Sequence, residues 1–142
     1  MTAKELALNL AIVKHEGQCR KGTGEPYINH VIRVAESVYG WKAKTIAYLH
    51  DLVEDTNITL DILLEIGFTD EIVECVDVLT RRVDQSYDDY IARVKNCQYD
   101  IVRQIKLADL KDNLRDIDDI PGMSNSRKLR YVNAQAILLN SY

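Results

Sequence analysis

At 142 residues, 46% of them hydrophobic and 28% charged, the chain has the length and composition of one globular domain with a sizeable core, and no room for a second catalytic domain. A net charge of −4 provides no long-range attraction for DNA or RNA, and no apolar run approaches the length of a membrane span. Cys19, Cys75 and Cys97 are odd in number and widely spaced without a C-x-x-C pair, which argues against a disulfide framework or a structural zinc site and for reduced thiols.

Helical spacing dominates from the start. The opening MTAKELALNLAIVKHEG interrupts Leu6, Leu8, Leu10, Ile12 and Val13 with charges, so it reads as a helix and not as a signal peptide, and the protein is expected to be cytoplasmic. A turn follows at Gly22-Thr23-Gly24-Glu25-Pro26. Apolar residues then recur at three- and four-residue intervals over 28–39 and 42–55, with breaks at Tyr39-Gly40 and Thr56-Asn57. Further on, Thr59 and Thr69 or Asp70 are expected N-caps on either side of the Gly67-Phe68-Thr69 break. After Pro121-Gly122, Ser124 is expected to cap a last helix running to Asn140. Period-two alternation is nearly absent and no repeat is found, so the expected architecture is all-α: about eight helices in one compact domain, 1–142.

Three segments carry residues able to do chemistry. In HDLVEDT, at ~100° per residue, His50 and Glu54 share one helix face while Asp51 and Asp55 lie on the adjacent stripe. Ile46, Leu49, Leu52 and Val53 form the other, apolar side. Neighbouring carboxylates repel unless a cation or base neutralises them. A solvated acidic surface would carry the same residues, and this helix alone does not separate the two.

The segment IKLADLKDNLRDID places Asp109 in its most apolar part, with Asn113 one turn later on the same face. Asp112, Asp116, Asp118 and Asp119 read instead as solvated charge. A carboxylate among apolar neighbours needs a partner, and a metal is one. Together with the histidines His30 and His50, such carboxylates suit Mn²⁺, Fe²⁺ or Zn²⁺. The third segment, HEGQCRKGTGEPYINH, sets Arg20 and Lys21 before a glycine-rich turn that ends near His30. Arg20 can pair with a phosphate or stack on a base, Lys21 can act as a point charge, and the same residues are also compatible with an ordinary surface loop.

Taken jointly and in this order, the segments His15-Glu16-Gly17-Gln18-Cys19-Arg20-Lys21, Glu25-Pro26-Tyr27-Ile28-Asn29-His30, His50-Asp51-Leu52-Val53-Glu54-Asp55-Thr56 and Ala108-Asp109 with Asn113 resemble the HD hydrolase domain of the RelA/SpoT family over roughly residues 7–117. The resemblance implies a compact HD-type helical bundle in which His30, His50, Asp51 and Asp109 bind one Mn²⁺. It further implies that Glu54 and Asp55 activate or position the attacking water and that Arg20, Lys21 and Asn113 hold the nucleotide. The implied reaction is hydrolysis of the 3′-pyrophosphate of the guanosine alarmones ppGpp and pppGpp to GDP or GTP. Two departures, a longer Arg20-Lys21 loop and Asp116 in place of a small hydroxyl residue, lie where substrate is gripped, and the run Asp112 to Asp116 is closer to small metazoan-type hydrolases. The alternative readings are therefore an HD phosphohydrolase for another nucleotide, such as the 2′-phosphate of NADPH, and a nucleotide-binding module without turnover. His15 is assigned no role beyond a helix-end or supporting hydrogen bond.

Overall fold

The computed structural model describes residues 1–120 and 122–140. Nine α-helices occur among them: α1 (Ala3–Lys14), α2 (Tyr27–Glu36), α3 (Trp41–Leu49), α4 (Leu52–Asp55), α5 (Leu60–Ile66), α6 (Asp70–Leu79), α7 (Tyr87–Asn96), α8 (Asp100–Arg115) and α9 (Asn125–Leu139). A 3₁₀ turn, Ile117–Asp119, lies between the last two, and no strand is present among the described residues. Since α4 is a single turn, the expectation of about eight helices and an all-α fold is met.

The helix starts follow local chemistry. Thr59, Thr69 and Ser124 each accept a hydrogen bond from a first-turn amide, as their sequence positions predict. Thr2 and Glu5 form a capping box that starts α1. Of the expected Pro121-Gly122 break, Pro121 lies outside the described residues, whereas Gly122 adopts φ 76°. One glycine is demanded by close approach as well as by conformation. Gly22 sits at φ 92°, and a Cβ there would collide with Ile120 Cγ2, so the Gly22 loop can lie against the segment leading into α9 only without a side chain.

The helix expected over 42–55 is interrupted. His50 donates from Nδ1 to the Ala47 carbonyl at 2.6 Å, taking the acceptor that the Asp51 amide would use in a continuous helix. The i→i−4 ladder resumes with Asp55 N to Asp51 O at 3.0 Å, one turn later. Both junction residues keep right-handed backbone angles, so the chain goes on turning, but His50 and Asp51 stand at a joint between two helices and not on the side of one.

Helix α3 is the centre of the molecule. Ala43, Thr45, Ile46, Ala47, Tyr48 and Leu49 are all buried, and α1, α2, α6 and α8 pack around them. Small residues at Ala7, Ala11, Ala35, Ala43 and Ala47, all fully buried, let these helices approach closely. Ile46 is fully buried within this core. Ile46→Ala should therefore lower unfolding free energy by ~2–5 kcal/mol through lost burial and a residual cavity, read from urea denaturation. An effect under ~1 kcal/mol would mean that α3 is not the packing centre.

Candidate metal centre

The fold brings His30 from α2, His50 and Asp51 from the α3–α4 joint, and Asp109 from the middle of α8 to one place. Each offers a donor atom, and these atoms lie within 4.8 Å of one another. Asp109 Oδ1 is 2.9 Å from His30 Nε2 and 3.3 Å from His50 Nε2. Asp51 Oδ2 is 3.1 Å from His50 Nε2 and 3.8 Å from His30 Nε2. His30, His50 and Asp109 are buried, and Asp51 is nearly so.

Second partners fix how these groups point. Both imidazoles spend Nδ1 on an acceptor, His50 on the Ala47 carbonyl and His30 on Asp112 Oδ2 at 2.6 Å, so both turn Nε2 inward. The Tyr27 hydroxyl donates to Asp51 Oδ2 at 2.6 Å, and Lys106 Nζ donates to Asp109 Oδ2 at 2.8 Å. Burial alone would lower the pKa of His30, but the hydrogen bonds of Asp109 and Asp112 outweigh it and raise it to about 9. His50 is raised in the same sense: burial is overcome by the charge of Asp51 and by its contact with Asp109. The carboxylates thus favour positive charge between them, and a divalent cation held by the same donors would supply it. The donor set fits such an ion: two oriented Nε2 atoms and two carboxylate oxygens, with outer partners in place.

Asp112 corrects the sequence reading. It is 8% exposed and not a solvated charge, because α8 turns it inward beside His30, where Arg33 donates to both of its oxygens at 2.6 and 3.0 Å. Lys106 is a further partner of the site, absent from the candidate residues. A lysine three residues before a buried aspartate in an apolar stretch was the available signal, since a buried carboxylate and a lysine on one helix face neutralise each other. Burial alone would raise the pKa of the Asp109 carboxyl, but the Lys106 charge and the bonds from His30 and His50 hold it well below the usual carboxylate range.

Through Asp51 and Asp109 the cluster opens into one cleft, which adjoins a second. One, of about 240 Å³, is lined by Asp51, Glu54, Asp109 and Lys106; the other, of about 500 Å³, by Arg20, Lys21, Arg127 and Met123. Tyr27, Asp55, Asn113 and Tyr131 line both, so they mark where the metal centre meets the basic loop. Arg127 and Tyr131, from α9, belong to none of the motifs and carry no sequence signal. Arg20 is held ready at the cleft by Glu25 at 3.0 Å and Asn113 Oδ1 at 3.1 Å, which places two of the three residues singled out for nucleotide contact side by side. Glu54 and Asp55 stand at the rim beside Asp51, and burial, joined by the Asp51 charge, raises both pKa values. Glu54 Oε1 also accepts the Arg81 amide. His15 caps the end of α1 and bonds Gln18 through Nδ1 at 2.8 Å, outside the ligand group.

No family profile matches the chain. It is 34% identical over 136 residues to a probable GTP pyrophosphokinase of Mycobacterium leprae, across 87% of this chain and 17% of that protein. It is 31% identical over 126 residues to a probable guanosine-3′,5′-bis(diphosphate) 3′-pyrophosphohydrolase of Mycoplasma genitalium, across 75% of this chain and 17% of that protein. A solved structure described as a metazoan ortholog of SpoT that hydrolyses ppGpp matches 97% of this chain and 84% of its own at TM-score 0.81 and 26% identity. The chain therefore spans less than a fifth of the curated relatives' length, but most of that solved structure.

An all-helical bundle that gathers donor atoms of two histidines and two aspartates within 4.8 Å of one another has the site of an HD-type domain. Its likeness to these proteins in sequence and in fold narrows the class further. The chain belongs to the RelA/SpoT-like HD-domain proteins.

Proposed function

We propose that this domain hydrolyses the 3′-pyrophosphate of guanosine alarmones, releasing GDP or GTP and pyrophosphate, with one divalent ion, Mn²⁺, held by His30, His50, Asp51 and Asp109. The observation that carries the reading is the junction of that ligand group with a basic cleft at Tyr27, Asp55 and Asn113. The solved structure it matches closely in fold is described as hydrolysing ppGpp, which supports the choice of substrate.

A divalent ion at this site supplies Lewis acidity to a phosphoryl oxygen and lowers the pKa of water toward neutrality. The chain's own residues do the rest. Glu54 and Asp55 orient the attacking water and take its proton, a task suited to carboxyls whose pKa values are raised by their surroundings. The water oxygen bonds to the phosphorus attached to O3′, the O3′–P bond breaks, and the proton passes to the departing 3′-oxygen, leaving a free 3′-hydroxyl and pyrophosphate. Arg20 exchanges its bonds to Glu25 and Asn113 for the substrate, while Lys21 adds positive charge at the cleft mouth.

The test is turnover of ppGpp by the Mn²⁺-loaded protein, with GDP and pyrophosphate identified as products. Release of inorganic phosphate from NADPH, with no ppGpp cleavage, would replace this reading by the other HD phosphohydrolase activity. Arg20→Ala should lower kcat/KM for ppGpp by ~10²-fold, the loss of one paired charge contact, while metal content stays near one ion per chain. Wild-type kcat/KM in that variant would reduce the Arg20 loop to scaffolding.

A further inference from the structure

The ligand group accounts for four residues, yet a second set of charges is built behind it. Glu25, from the loop before α2, receives Arg33 through both oxygens, at 2.7 and 3.1 Å. Arg33 in turn grips both oxygens of Asp112, and Asp112 accepts the Nδ1–H of His30 at 2.6 Å. Arg20 touches the same set, 3.0 Å from Glu25 and 3.6 Å from Asp112. The chain of contacts Glu25–Arg33–Asp112–His30 thus runs unbroken from the basic loop to the metal centre, and its last carboxylate is buried.

We propose that Asp112 is a positioning residue of the metal centre, which locks His30 with Nδ1 protonated and Nε2 free for the ion, and that Glu25 and Arg33 hold Asp112 in place for that purpose. His30 has no backbone acceptor in this role, unlike His50, whose Nδ1 is fixed by the Ala47 carbonyl. Without a carboxylate at 112 its ring can flip or exchange its proton between nitrogens, and each such state is lost to metal binding. Arg33 is the reason a buried carboxylate is tolerated there: a two-pronged guanidinium satisfies the oxygens that His30 leaves over and balances their charge. A carboxylate acceptor on Nδ1–H also makes the Nε2 lone pair a stronger donor to the ion. The proposal rests on the metal centre described above but not on the identity of the substrate.

The experiment is direct titration of chelator-treated protein with Mn²⁺ and with Zn²⁺, following heat and not turnover. Asp112→Asn should weaken the dissociation constant by ~10–100-fold, the usual cost of losing an outer partner of a ligating histidine. Unchanged affinity in a folded Asp112→Asn protein would overturn the proposal. A second measurement needs no variant: nitrogen-15 spectra of the Zn²⁺-loaded wild-type protein should show His30 carrying its proton on Nδ1. A proton on Nε2 would overturn the proposal even if Asp112→Asn fails to fold. Weakened metal binding in a protein that cleaves no alarmone would leave Asp112 in its role and remove the proposed substrate instead.

Discussion

Asp51→Asn is expected to abolish divalent-ion binding and the proposed phosphohydrolase activity together, while leaving the protein folded. An amide is a poorer donor to a divalent cation than a carboxylate, and the charge lost is one of the two, among the described residues, that face the imidazoles at Nε2. The fold survives because the amide oxygen can still accept the Tyr27 hydroxyl, the contact that Asp51 makes at 2.6 Å. Asp109 is the worse probe. Its removal leaves Lys106 as a buried, unpaired charge, a defect worth ~3–5 kcal/mol, so lost activity there would report unfolding as readily as lost metal. Metal analysis and melting temperature, taken on the same Asp51→Asn sample, separate the two. Full turnover by chelator-treated wild-type protein would sink the metal-assisted mechanism altogether.

The second large effect is expected from Glu54→Gln, which should lower kcat by ~10²-fold or more with metal content and melting temperature nearly unchanged. The structure makes this variant cleaner than sequence reasoning alone would allow. Glu54 accepts the Arg81 amide, and glutamine keeps an oxygen for that bond, so the link between α4 and the segment after α6 persists while basicity is removed. Loss of metal along with activity would make Glu54 a ligand and not a base. Wild-type turnover would leave Asp55, which lines both clefts, as the water-handling carboxylate of α4.

Neither variant needed the structure for its choice of residue. The candidates His30, His50, Asp51, Asp109, Glu54, Asp55, Arg20, Lys21 and Asn113 all lie in short motifs and take their roles from the resemblance those motifs carry, and the fold gathers the first four into one possible ligand group. Asp109 stood out by contrast, as a carboxylate in an apolar stretch. The same contrast misled at Asp112: it lies among Lys111, Asn113 and other polar residues, so its local surroundings read as solvent, and only the packing of α8 against α2 turns it toward His30 and Arg33. Lys106 is hard to read for the opposite reason, since a lysine in an apolar run looks like a snorkelling surface residue until its partner is known to be buried beside it.

What the sequence determined by itself was the helical class, the caps at Thr59, Thr69 and Ser124, and the choice of the histidines, carboxylates and loop cations as candidates, all of which depend on neighbours within a few positions. What only the tertiary structure decided was how those residues face one another. The joint at His50-Asp51 arises because an imidazole takes a carbonyl from the helix ladder, a competition that periodicity does not register. The ion-pair chain from Glu25 to Asp112 joins residues far apart in the sequence, and the α9 side chains Arg127 and Tyr131 reach a cleft whose other wall is the Arg20 loop. Local propensity sets an element's type and its apolar face. The partner of a buried charge is set by which faces pack together, and that is a property of the whole fold.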